Sequence, residues 1–147
     1  MTGIIDLLTG FEADYLAIGA TAAGVNTRVV PITGWAWWVL VSVNVTYNNL
    51  GGAAVVSPVL LTHISANLII YSTTPGGQVG IGVANNVEWG LFTGQSASVG
   101  TGITGSIPFV PIIGEGDVNY GFTGGDAATT MNPAMVCIIG RRHRNKQ

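Results

Sequence analysis

Residues 34–52 read GWAWWVLVSVNVTYNNLGG, and this stretch constrains the fold more than any other part of the chain. Trp35, Trp37, Val39, Val41, Val43, Val45 and Tyr47 share one parity and are all apolar. The other parity runs Ala36, Trp38, Leu40, Ser42, Asn44, Thr46, Asn48. Side chains alternate between faces along a strand, so period two in aromatic and β-branched residues predicts a strand. The second parity begins apolar and ends polar. One end of the strand is therefore expected to be covered on both faces, and the other end to meet water on one. Trp35 and Trp37 then belong to the core. Trp38 points the other way and is the tryptophan expected on a binding or subunit surface.

The rest of the chain repeats this kind of signal between turn clusters. NNLGG at 48–52 and STTPGG at 72–77 are turns. Between them, Pro58 is expected to divide AAVVSPVLLTHISANLIIY into a short strand and a long one. QVGIGVA at 78–84 predicts a strand whose Gly80 and Gly82 leave room for a backbone or an aromatic ring. VEWGLF follows, then TGQSASVGTGITG at 93–105, which reads as a long loop or irregular edge. SIPFVPII, DVNYGF and AMVCIIG complete the set, with Pro108 and Pro111 placing the first at an edge or in a connection. Short strands recurring in this way predict an all-β sandwich or closed barrel, occupying residues 35–140. Residues 1–34 are an N-terminal arm that docks on a neighbour, or a first strand of the sandwich. GIIDLLTGF within them suits one helical turn capped by Thr2.

Charge is the second constraint. Charged residues make up 8% of the 147, against about 25% in ordinary soluble domains. Twelve charges leave a surface dressed in Thr, Ser, Asn and Gly or covered by partners, and near-neutral surfaces tend to associate. Five of the twelve are cationic: Arg28, then none from Val29 to Gly140, then Arg141, Arg142, Arg144 and Lys146 in the closing RRHRNKQ. Residues 141–147 thus read as a basic C-terminal tail. It is open to three roles: a solvated end, a clamp on an acidic protein partner, or a minor contact to nucleic acid. The most apolar run, Trp35 to Val41, falls short of the roughly 20 residues of a spanning helix, so no transmembrane helix is expected and no membrane partner is favoured. The opening residues place acids at Asp6, Glu12 and Asp14 and have no basic n-region, so folding in a cytoplasm is expected.

No catalytic or cofactor set emerges. GTGITG at 100–105 fits G-x-G-x-x-G, but no helical pattern follows it to present an N-terminus to a pyrophosphate. His63 and His143 are the only histidines, and Cys137 is the only cysteine. Cys137 lies in an apolar run and reads as a buried small hydrophobe, so neither a metal-ligand spacing nor a nucleophile–base pair is visible. The carboxylates Glu115, Asp117 and Asp126 fall in GEGDVNYGFTGGD. They read as an acidic loop: solvated acids, a calcium site without EF-hand spacing, or partners for a neighbour's basic tail.

A charge-poor, Gly/Thr/Asn-rich, all-β chain with no catalytic set resembles the small β-sandwich structural proteins of tailed-bacteriophage virions, especially capsid decoration (cement) proteins. The resemblance is one of style across residues 35–140. It implies an antiparallel, jelly-roll-like sandwich, a homo-oligomer with trimers frequent, and no enzyme activity or cofactor. Its partners would be the major capsid protein or other virion subunits, and its location the virion. Two other classes remain: a carbohydrate-binding β-sandwich of lectin type, and a membrane-inserting β-protein.

Overall fold

The computed structural model describes residues 11–64, 68–75, 77–91, 96–98 and 102–143. Among these residues eleven strands form two sheets. In chain order they are β1 (Glu12–Ile18), β2 (Thr27–Ile32), β3 (Trp35–Asn48), β4 (Val56–Ile64), β5 (Leu68–Thr73), β6 (Ala84–Leu91), β7 (Ser96–Ser98), β8 (Gly102–Ile107), β9 (Ile112–Ile113), β10 (Gly116–Gly124) and β11 (Thr130–Arg142). The larger sheet has the order β1-β11-β3-β6-β8-β7, with β9 pairing the start of β3 at Trp37 and Trp38. The smaller has the order β2-β10-β4-β5. The inner faces of the two sheets pack as a sandwich around Leu40, Val43, Val45, Val136 and Ile138 from one side and Val30, Leu60, Val118 and Tyr120 from the other.

The larger sheet is mixed, which corrects the expectation of a purely antiparallel sandwich. β6 and β8 run parallel, Val87 beside Ile103 through Leu91 beside Ile107. The cause is topological. After β6 the chain steps over one position to β7, and the β7–β8 hairpin then lays β8 into the gap. The stretch 93–105, read as a long loop or irregular edge, supplies β7 and most of β8 on the edge side of the sheet.

β3 bears out the long strand but breaks its parity. The β11 register skips Val41 and Ala36, marking two bulges. A bulge adds one residue to one strand and reverses which side chains face inward beyond it. Val43, Val45 and Tyr47 face the core, and beyond Val41 Leu40 and Trp38 do so instead. Beyond Ala36, Trp35 faces inward again. Trp38 is therefore 0% exposed, not on the opposite surface. Its indole Nε1 donates to the Gly114 carbonyl at 3.0 Å. Trp37 is the tryptophan that turns outward, packing edge-on against Phe11 with ring centroids 5.1 Å apart.

Two further expectations change. Pro58 does not divide its segment, because β4 runs through it. β5 joins β4 only from Leu60 onward, so Pro58 sits where β4 is an edge, the place a missing N–H is tolerated. The long strand expected after Pro58 is instead β4 and β5 paired with each other. QVGIGVA forms no strand either. Val79 makes one isolated bridge to Val56, and a turn follows. Room for aromatic rings is found elsewhere. An added Cβ at Gly105 would stand 2.7 Å from Trp89 Cδ1; at Gly116, 3.0 Å from Trp38 Cζ2; at Gly140, 3.0 Å from Trp35 Cε3. Each of the three core tryptophans lies against a glycine of an adjacent strand or the facing sheet.

Candidate contact surfaces and polar clusters

The charged end of β11 is ordered into the sheet. Arg141 and Arg142 close β11 opposite Trp37 and Trp35, and His143 N donates to the Gly34 carbonyl at 3.1 Å. Arg142 Nε donates to Glu12 Oε2 at 2.7 Å, and its Nη2 to Asp14 Oδ2 at 2.6 Å. Its guanidinium lies 4.5 Å over the Trp35 ring. Two acids from β1 and one arginine thus cap the end of the core at Trp35. Arg144 and Lys146 lie outside the described residues.

The three candidate acids stand apart. Asp117 is inside β10, Glu115 just precedes it, and Asp126 lies beyond its other end. β10 alone separates those ends by roughly 30 Å. Asp126 works as a turn residue: Oδ1 accepts from Ala128 N at 2.9 Å, and Oδ2 accepts from Ala53 N. These backbone donors hold its carboxyl below the usual carboxylate range. It also adjoins Asn49, which is fully buried and ties three loops together. Asn49 Nδ2 donates to the carbonyls of Ala54 and Gly80, and its Oδ1 accepts from Thr129 Oγ1 at 2.9 Å.

Asp117 pairs across strands with His63, whose Nδ1 lies 2.8 Å from Asp117 Oδ1 and 2.7 Å from Asn119 Nδ2. Protonated at Nδ1 the ring donates to Asp117; protonated at Nε2 it accepts from Asn119. One ring atom serves either partner. The sequence shows His63 as an isolated histidine and gives no sign of these partners, since Asp117 is 54 residues away. The flanking residues on the neighbouring strands are Pro31 and Ile69. A cross-strand pair of this kind stabilises a sheet. Among the described residues no group of three metal-ligating side chains converges. Next to the pair, a shallow pocket of about 140 Å³ lies between Asn26 and Thr27 on one side and Val59 and Leu61 on the other, with Asn119 and Gly121 in β10.

The outer face of the larger sheet is the broadest surface. It carries Phe11, Trp37 and Ile113 near one end, Tyr15 at its middle and Met135 farther along, in the row of Asn44. Ile113 is 80% exposed and Tyr15 65% exposed. Val39 lies among them and is nonetheless 1% exposed. Toward the other end the face turns to Ser42, Asn44, Thr46 and Asn86, as the polar half of the β3 parity predicted. Cys137 sits mid-face, across from Tyr15 on β1 and Ser42 on β3. Burial pushes its thiol above the usual range, with those two hydroxyls acting in the opposite direction. Among the described residues no helix is long and apolar enough to cross a membrane.

Comparison with protein-family models, curated proteins and solved structures returns no match.

Proposed function

We propose that this chain is a non-enzymatic structural protein of a virion, a decoration protein that binds a capsid lattice as an oligomer, built on a jelly roll. The observation that carries the reading is the strand order. With β7, β8 and β9 set aside as an insertion, β1-β11-β3-β6 packs against β2-β10-β4-β5. The chain changes sheets at every step except β4 to β5, and β10 and β11 return to lie beside β2 and β1. Two interleaved Greek keys of this kind form the jelly roll common in viral capsid and lectin domains. A charge-poor surface favours the capsid use over the lectin use. Contacts made by apolar and neutral polar groups bind a lattice and stabilise it by mass action, with little loss in salt.

The lectin-like reading, a carbohydrate-binding module, draws on the pocket bordered by Asn26, Thr27, Asn119 and Thr123, whose amides and hydroxyls suit sugar hydroxyls. Its aromatic residues, Tyr120 and Phe122, are buried, so they offer no open ring to stack on a sugar.

The gene neighbourhood and a binding assay test the proposal together. Genes for a terminase, portal and major capsid protein are expected nearby. Capsids assembled from that neighbouring gene should carry the purified protein down in sedimentation, to a saturating stoichiometry. A monomer that binds a glycan array and leaves those capsids bare would overturn the reading.

A further inference from the structure

The outer face of the larger sheet holds two charges among its described strand residues, Arg141 on β11 and Glu88 on β6. They have opposite sign and stand near opposite ends. Arg141 lies in the row of Trp37 and Ile113, and Glu88 in the row of Asn44 and Met135. The six steps along β11 between those rows span roughly 20 Å. Neither residue has an ion-pair partner among the described residues: Arg142 takes Glu12 and Asp14, and Asp117 takes His63. The rest of this face is apolar or neutral, with Tyr15 and Ile113 largely open to solvent.

A surface with one cation and one anion at opposite ends is complementary to itself. A two-fold axis lying in the plane of the face, across the line joining the two charges, sets each Arg141 over the other copy's Glu88. An isologous interface requires that reciprocity, since residue i meeting j means that j also meets i. The size suits a weak dimer. Between the two rows β1, β11 and β3 run the whole distance, with β9 beside β3 at one end and β6 at the other, so a face about 19 Å wide over roughly 24 Å covers about 460 Å². Weak, transient interfaces bury less than about 600 Å² per partner.

We propose that two copies of this chain pair through the outer face of the larger sheet, with Arg141 of each copy opposite Glu88 of the other. The inference extends the self-association in the functional reading and is independent of the capsid: a dimer that never touches a virion leaves it intact.

Charge reversal tests it. Sedimentation velocity of the purified protein, up to near-millimolar concentration at low salt, should show a monomer–dimer equilibrium. R141E and E88R each place like charges in contact and should weaken dimerisation about tenfold or more. The double variant, with the charges exchanged, should recover most of the wild-type affinity. Circular dichroism of each variant separates lost pairing from lost folding. A wild-type protein that stays monomeric throughout, one that forms a trimer, or folded single variants that dimerise as well as wild type would overturn the inference. A double variant no better than the singles would do the same.

Discussion

At the scale of single residues, glycine and tryptophan are used together. Trp89 occupies the space that a side chain at Gly105 would need, so Gly105→Ala overpacks the core. A loss of about 1–3 kcal/mol is expected, read as a lower urea midpoint. Gly19 has nothing within 4 Å of an added Cβ, so Gly19→Ala is the control and should be close to neutral. Asp126 gives a pH prediction. Its carboxyl is held below the ordinary range, so the folded state favours the anion. The stability it contributes is complete above the ordinary carboxylate value, near 4, and is lost as pH falls through the lower folded value. The melting-temperature advantage of wild type over D126N should therefore be constant at neutral and mildly acidic pH and shrink below about pH 4. An advantage that grows on acidification would contradict the backbone-clamp role. The sequence showed this residue only as an acid among glycines. Its donors, Ala53 and Ala128, become visible once the turn is folded.

At the scale of elements, β3 shows what period-two reading can reach. The strand and its change from apolar to polar were legible because half-buried strands alternate. The identity of the outward tryptophan was not, because the bulges at Val41 and Ala36 are set by pairing with the part of β11 that lies about 100 residues downstream. The same partner changes the meaning of RRHRNKQ. Its first two arginines complete β11, and Arg142 is held by two β1 acids and the Trp35 ring. Removing residues 144–147 should leave the thermal melt nearly unchanged. Removing 141–147 takes away partly exposed ion pairs and a cation–π contact, together about 1–2 kcal/mol, which lowers the melting temperature by several degrees. Equal melts for the two truncations would show that the β1–β11 corner carries no stability. The glycine-rich stretch 93–105 was legible only as a long loop or irregular edge, for a different reason. β7 and β8 are edge-side strands of small residues, whose pairing leaves almost no hydrophobic periodicity to read.

At the scale of the whole molecule, composition pointed to class and strand spacing to a sandwich, while topology lay beyond either. The interleaving of β1 with β11 and β2 with β10 joins segments more than 80 residues apart, and no local pattern records such pairings. Scarcity of charge did carry through to the surface. The broadest face of the sandwich holds only Arg141 and Glu88 among its described strand residues, and several of its large apolar side chains are open to solvent. A face of that kind is stable in water when another surface covers it. Solution mass tests this most directly, by light scattering across a concentration series at low and at high salt. The account predicts a mass rising to twice that of the chain and persisting when salt is raised, because most of the contact is uncharged. A mass equal to one chain at every concentration and salt would contradict it.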